Sequence, residues 1–369
     1  YQVTPPWKAP DGARLLRLRI TDEAGQPIEA RFSMMIDGQR YVPSELGRNG
    51  LRFVSIHKGR GQSFVATYSR GSGEVIIPLP EGTAAAVTAT RGFEYRAATE
   101  SFELESQSTT CSIRLKRWID LAAEGWQAAD EHVHYERTDP KYDDDWLTML
   151  DADGLAAAHF LVLKGGNGPE VWAQQYGYGA AAEARRDHRF IRSGEEYRDT
   201  AQGHINLLGI SEVIEPISTG GIGGTPRYNF PPLFDVFREV HRRGGIGGPA
   251  HGAALAKSST ALLDTVLGQV DFFEIANTHL YNVGVWYQLM NCGYVTPPAA
   301  GTDLPNFPHR EPWQPLLGET RMYVRLGSER DFDSWKKAVC RGEVFITSGP
   351  LISFTANQVG SGGVVQLPS

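Results

Sequence analysis

Cysteine is scarce and odd in number: Cys111, Cys292 and Cys340 lie far apart, with no CxxC among them. That spacing supports neither a thiolate zinc site nor a disulfide framework, so all three are expected to act as small buried apolar residues. No run of Lys or Arg is present, and the formal net charge is −7. The missing basic footprint is taken to exclude a nucleic-acid or anionic-membrane partner. A small-molecule substrate is then the expected partner, with the oligomeric state open. No uninterrupted apolar stretch is long enough to span a bilayer. The chain starts at Tyr1 rather than Met, from which a removed N-terminal segment is expected. A periplasmic or secreted location fits that expectation, and a cytoplasmic one its failure.

What is present describes an ordinary globular protein. Its 369 residues suggest about two domains, and 41% hydrophobic with 21% charged residues allow a large core. Residues 1–117 alternate short apolar runs with turn chemistry, such as Leu15-Leu16-Arg17-Leu18-Arg19-Ile20 followed by Asp22-Glu23-Ala24-Gly25-Gln26-Pro27. The expected unit is a small all-β sandwich, and its lone His57 is no ligand. From Arg117-Trp118-Ile119-Asp120 onward, strand-like runs alternate with helix-like segments. Helices are expected at 146–154, 180–188, 232–243 and 262–268, with strands at 155–163, 190–194, 246–250 and 272–276. That alternation is the signature of α/β architecture and fits a βα barrel with its site at the C-terminal face of the strands. Residues 356–369 read as a strand-like tail.

The chemistry centres on Asp130-Glu131-His132-Val133-His134-Tyr135. Two histidines one residue apart on a strand share a face and can offer two nitrogens to one metal ion. Alone the pattern is weak. It gains weight from Glu195-Glu196, Gly203-His204, Ala250-His251-Gly252 and Gly301-Thr302-Asp303, each a metal-ligand type beside small residues. Glu195 and Glu196 point opposite ways on a strand. Glu196 is taken to enter the site, and a solvated loop acid is a real alternative for Glu195. His204 precedes its strand rather than following it, and Asp303 could equally form an Asx turn before Pro305.

His159, inside an apolar run, is expected to be a hydrogen-bonded core residue, and His188 and His241 to be exposed. Asn277 and His279 could line the pocket without binding metal. Lys164 closes the second strand. It could face substrate, serve as a carboxylated ligand or be an ordinary strand-end lysine, and it is kept with Glu196 and Asp303 among the candidate catalytic groups. Arg137, Arg198 and Arg310 lie singly near the ligand motifs.

The order HxH, Gly-x-Glu, Gly-His, Ala-His, Gly-Thr-Asp resembles the polymerase and histidinol phosphatase (PHP) metallohydrolase superfamily. It is similar in particular to its CehA/McbA branch, through Gly125-Trp126-Gln127-Ala128-Ala129-Asp130-Glu131-His132-Val133-His134, Leu289-Met290-Asn291-Cys292-Gly293-Tyr294 and Gly342-Glu343-Val344-Phe345-Ile346-Thr347-Ser348-Gly349-Pro350. The resemblance covers about residues 118–355. It implies a distorted (βα)7 barrel related to the TIM barrel, preceded by the β-sandwich. It also implies two divalent ions (Zn, Mn or Fe). The first would take His132, His134, Glu196 and Asp303; the second would take the bridging Glu196 with His204 and His251. Gly166-Asn167 and Pro305 stand where a third site would need Asp-His and His, so no third ion is expected. The implied activity is hydrolysis of an ester, amide or carbamate by a water held and deprotonated between two cations. The alternatives are a PHP-type phosphoesterase and a non-catalytic binding protein that keeps a metal.

Overall fold

The computed structural model describes residues 12–366 except 48, 58–60, 106–107, 166–171, 200, 219–229, 254–259, 278–280, 282, 305–315 and 328. Gly166, Asn167, His279, Pro305, Arg310 and the side chain of His57 therefore lie outside the described residues. The chain divides into two compact units. One takes Tyr1–Glu124 with Asp145–Leu155; the other takes Gly125–Asp144, Ala156–Asn306 and Pro315–Ser369.

In the first unit, Arg14–Thr21 lies between Ser108–Arg114 and Val75–Leu79, and a second sheet runs Gly50–His57, Gly61–Arg70, Glu29–Ile36, Ala84–Thr90, Ala98–Glu103. Arg14–Thr21 and Ser108–Arg114 bury alternate residues, the period-2 pattern of strands with one face on a core. Leu16, Leu18 and Ile20 from one sheet share a single apolar cluster with Phe32, Met34 and Val87 from the other. Of the three cysteines only Cys111 joins this core. Cys292 and Cys340 are exposed, so the expectation of burial holds for one of them.

The second unit is built on an eight-stranded mixed sheet. Its order is Ile246–Pro249, Gly203–Leu208, Arg189–Asp199, Ala157–Gly165, Trp126–Val133, Arg321–Arg325, Val344–Thr347, with Ala184–Arg186 pairing Arg189–Asp199 off that path. Only the three central strands run parallel. Their burial on both faces is typical of parallel strands, and Trp126–Val133 is buried from Gln127 onward. The neighbours on either side pair antiparallel, and Phe273–Ala276 with Pro298–Ala300 forms a separate parallel pair. The architecture is thus mixed α/β and rich in strands, but the described pairings draw no closed (βα)7 ring. A physical cause lies between Asp199 and Gly203. A connection that short closes a hairpin, whereas a parallel crossover needs a dozen residues or more.

The expected helix at 232–243 forms as Leu233–Arg242. Leu233, Val236, Phe237 and Val240 make its buried stripe, and Gly244 (φ 78°) ends it. The expected helix at 180–188 does not form. Ala180–Ala182 is a single 3₁₀ turn and Ala184–Arg186 folds back as an edge strand. His159 is buried as expected, yet both ring nitrogens lack a hydrogen-bond partner and the ring packs on Trp335 at 4.5 Å between centroids. Burial, aided by Arg192, pushes its pKa down to about 3, so this imidazole is neutral.

Candidate metal centre

Glu195 and Glu196 sit inside the strand Arg189–Asp199, not in a loop, and both are fully buried. The antiparallel ladder sets Glu196 opposite Asn206 and Arg198 opposite His204. Side chains two apart share a face, so these four project from the same side of the sheet. The hairpin therefore explains how His204, which precedes its strand's apolar run, reaches Glu196. Lys164 shares the other face, with Glu195. Its Nζ donates to Glu215 Oε1 at 2.7 Å, and the structure does not bring it to the ligand group.

Two sets of three ligand residues form, and Glu196 connects them. His132, His134 and Asp303 make one set; Glu196, His204 and His251 make the other. In the first, the Nε2 atoms of His132 and His134 face each other at 3.1 Å, and Asp303 Oδ1 lies 3.4 Å and 3.3 Å from them. In the second, His204 Nδ1 and His251 Nε2 approach Glu196 Oε1 at 2.9 Å and 3.1 Å and each other at 3.3 Å. Glu196 Oε2 lies 3.2 Å from His134 Nε2, so one oxygen of this carboxylate serves each set.

The donor chemistry fits a cation. His134 Nδ1 donates to the Leu161 carbonyl at 2.9 Å, and His132 Nδ1 lies 3.1 Å from both Glu274 Oε2 and Asn206 Nδ2. The bond to the Leu161 carbonyl, which can only accept, puts a proton on His134 Nδ1, and the two Nε2 atoms face one another and a carboxylate, a place for a proton or a cation. Three such atoms converging at these separations match the edge of a tetrahedron of ligands about 2.1 Å from a metal, which is about 3.4 Å. Charge points the same way. Asp130, Glu131, Glu196, Glu274 and Asp303 are five buried carboxyls, and Arg198 contacts the group through Glu196 Oε2 at 2.9 Å. Burial pushes the Glu131 carboxyl well above its ordinary value, and a divalent cation would offset the charge of those that stay ionised.

The field of the cluster shows in its titration. Burial alone would depress His134, but hydrogen bonds to Asp303 and Glu196 outweigh it and raise the pKa to about 9. At Asp303, burial opposes ionisation and is overcome by His132 and His251; at Glu196 it is overcome by Arg198 and His204. Both carboxyls are held below the ordinary range. Asp130 is pushed up to about 6 by burial, against hydrogen bonds from Thr302, Gly318 and His132.

Backbone geometry holds the later ligands in place. His251 (φ 61°) and Asp303 (φ 56°) both occupy the left-handed region, an uncommon conformation concentrated at functional sites. The His251 N–H donates to Glu274 Oε2 at 2.9 Å and the Asp303 N–H to the His132 carbonyl at 2.7 Å. Asp130 ties Gly301-Thr302-Asp303 to the first strand by accepting from Thr302 N at 2.9 Å and Thr302 Oγ1 at 2.6 Å. A Cβ on Gly301 would lie 2.5 Å from His132 Cβ and 2.6 Å from its backbone N. Gly301→Ala must therefore push the His132 strand aside. The expected cost is about 1–3 kcal/mol in urea unfolding, accompanied by weaker metal binding in a titration.

All six predicted ligands lie in these two sets. The residues that sequence reasoning left without a role are Glu131, Asn206 and Glu274, which pack fully buried behind His132. Asn277, expected only to line the pocket, lies with Nδ2 2.9 Å from His251 Nδ1. One signal was available for Glu274. An acid inside the run Phe272-Phe273-Glu274-Ile275-Ala276 is costly to bury unless it has polar partners. Glu131, His132 and Glu274 also form a third potential ligand group. It shares His132 with the first set through the opposite ring nitrogen, the arrangement of a carboxylate supporting a metal-bound histidine. Among the described residues no helix is long and apolar enough to cross a membrane.

No family model matches the sequence, and no curated protein does. Among solved structures the chain is similar to a two-domain protein from Bacteroides vulgatus containing a predicted PHP-like metal-dependent phosphoesterase. Identity is 14% and the TM-score 0.40, over 60% of this chain and 64% of that one. It is also similar to the lesion-specific endonuclease PfuEndoQ from Pyrococcus furiosus, at 16% identity and a TM-score of 0.37, over 60% of this chain and 57% of that one. An Endonuclease Q bound to a 27-mer duplex with an abasic lesion at its active site aligns at 14% identity and a TM-score of 0.37, over 58% of this chain and 56% of that one. The chain thus spans less than two thirds of the length of these proteins. A protein containing a predicted PHP-like phosphoesterase is thus among its similar structures, and none of the three bears a CehA/McbA name. The expectation that excluded nucleic acid in favour of a small-molecule substrate is corrected here, because an endonuclease seen on duplex DNA is among those structures. The physical error was to read a partner from net charge, which does not fix the potential at a local site.

Proposed function

We propose that the protein is a metal-dependent hydrolase whose two divalent ions share Glu196. The observation that carries this is the pair of opposed Nε2 atoms, 3.1 Å apart and facing Asp303, for which a cation is the natural partner. The ions, when bound, supply Lewis acidity to the scissile group and lower the pKa of a water to about 7. The chain's own contributions are distinct. Glu196 keeps the two ligand sets in register, Leu161 fixes the tautomer of His134, and Glu274 contacts His132 Nδ1. Asp303 Oδ1 faces the His132–His134 pair, and its Oδ2 lies 3.5 Å from His251 Nδ1. As an ionised carboxylate it accepts the proton of the attacking water and returns it to the leaving group, so that water adds to the acyl carbon as the C–O or C–N bond breaks. Lys164, committed to Glu215 on the other face of the sheet, has no part in this scheme.

Within that reading we favour carboxylic esters, amides or carbamates, the chemistry suggested by the CehA/McbA likeness. A phosphomonoester carries close to two negative charges, and among the described residues Arg198 is the one Arg or Lys side chain seen against Glu196, which gives such a substrate few cationic partners. A phosphoester reading has one observation in its favour. Arg198 touches Glu196 and its side chain keeps 19% of its surface, so it could meet a phosphoryl oxygen. Of the other two arginines near the motifs, Arg137 is buried and engaged bidentately with Asp143, and Arg310 lies outside the described residues. The test compares kcat/KM for nitrophenyl acetate, nitrophenyl phosphate and bis(nitrophenyl) phosphate on one metal-loaded preparation and its chelated control. Metal-restored turnover with the acetate fastest is the expected result. A clear preference for either phosphate would overturn the substrate reading, and no metal-restored turnover on any substrate would overturn the hydrolase itself.

A further inference from the structure

Glu274 lies on the strand Phe273–Ala276, outside the eight-stranded sheet, and is fully buried. One oxygen, Oε2, lies 3.1 Å from His132 Nδ1 and accepts from the His251 N–H at 2.9 Å and from Asn206 Nδ2 at 3.3 Å, an amide nitrogen that also lies 3.1 Å from His132 Nδ1. His132 belongs to one ligand set and His251 to the other. We infer that Glu274 is the positioning residue that joins the two halves of the centre, setting the ring of His132 and the backbone of His251 through a single carboxylate oxygen. It touches neither substrate nor reacting atoms, and the inference rests on the two-metal reading above.

The physics of each bond supports that role. A carboxylate accepting from Nδ1–H holds His132 in the tautomer whose Nε2 carries a lone pair toward His134 and Asp303, and makes that nitrogen a better ligand. At His251 the same oxygen receives a backbone N–H in the left-handed conformation (φ 61°). An unpaired buried N–H there would favour a different backbone geometry and carry the ring away from Glu196. Asn206, opposite Glu196 on the hairpin, donates to Glu274 and to Glu131 Oε2 at 3.2 Å, and its Nδ2 lies 3.1 Å from His132 Nδ1. It braces the carboxylate from the sheet side. A carboxylate that only filled space in the core would leave the two ions independent of it. A carboxylate shared by both ligand sets makes each ion's affinity depend on it.

The test titrates metal-free wild type, Glu274→Gln and Glu274→Ala with Zn²⁺ against a chromophoric chelator, alongside His204→Ala as a control that strikes one set only. Removing an outer partner of a metal ligand costs about 10–100-fold in affinity. Glu274→Ala is expected to weaken both ions by about that factor. Glu274→Gln should fall between, because its amide oxygen still accepts but carries no charge, and His204→Ala should weaken one ion far more than the other. In the metal-free protein, imidazole ¹⁵N shifts should show His132 as the Nδ1–H tautomer in wild type and as a mixture in Glu274→Ala. A drop in melting temperature with both affinities and the His132 tautomer unchanged would reduce Glu274 to a structural residue and overturn the inference. So would loss of only one ion. If wild type binds no Zn²⁺ while its His132 tautomer still depends on Glu274, the two-metal reading fails and the positioning role survives as a property of the apo site.

Discussion

Glu196→Gln is expected to release metal and abolish hydrolysis, while its neighbour Glu195→Gln keeps both. The contrast is large because the two acids occupy opposite faces of one strand. Glu196 gives Oε1 to His204 and His251, at 2.9 Å and 3.1 Å, and Oε2 to His134 at 3.2 Å. An amide in its place offers one neutral oxygen instead of two charged ones, and its NH2 must face a histidine lone pair or a cation. Both ligand sets lose a member at once, so the affinity loss should exceed the about 10–100-fold typical of outer partners. Glu195 accepts from the Ile214 N–H at 2.7 Å and touches neither set. Metal analysis and turnover of the two variants, purified side by side, make the comparison. Equal retention of metal in both would show that the bridge is misassigned.

Glu195 has an effect of its own, on stability and not on catalysis. Burial, opposed in part by the Ile214 N–H and Lys164, raises its carboxyl from the ordinary 4.5 to about 8. The folded chain keeps this proton where the unfolded chain has lost it. Stability from that difference is fully present below about pH 4.5 and is lost as pH rises toward 8, at about 1.4 kcal/mol per unit. Glutamine is neutral throughout and keeps the acceptor for Ile214. Glu195→Gln should therefore gain on wild type by several kcal/mol, on the order of magnitude set by this shift, between pH 5 and pH 8. Other titrating groups are common to both proteins and cancel in the difference. Urea unfolding of both chains at pH 5, 6.5 and 8 measures it. Parallel stability curves would mean that the Glu195 side chain is hydrated or paired in solution.

Why the ligands were legible and their supports were not follows from distance along the chain. His132 and His134 announce themselves by the period of a strand, and Gly301-Thr302-Asp303 by a small residue where the backbone must pass His132. Glu274 meets His132 from 142 positions away, and Asn206 meets Glu131 from 75. Local pattern carries no record of such pairings. Only the cost of burying an acid in an apolar run hints at the first. The ring of parallel strands was expected from alternation alone, which does not encode strand direction. The short link between Asp199 and Gly203 decides direction there, and it yields the hairpin that brings His204 beside Glu196. His159 shows the opposite limit. Its place in the core was readable from the apolar run, but its lack of hydrogen-bond partners was not.

The central claim is that Glu196 joins two ions. It is tested most directly by elemental analysis of fully reconstituted protein combined with anomalous scattering from its crystals. The expected result is two divalent ions per chain, ~3.5–4 Å apart, as in other two-metal hydrolases, with Glu196 between them, His132, His134 and Asp303 on one and His204 and His251 on the other. A single ion per chain after full reconstitution, or two ions with no shared carboxylate, would contradict it.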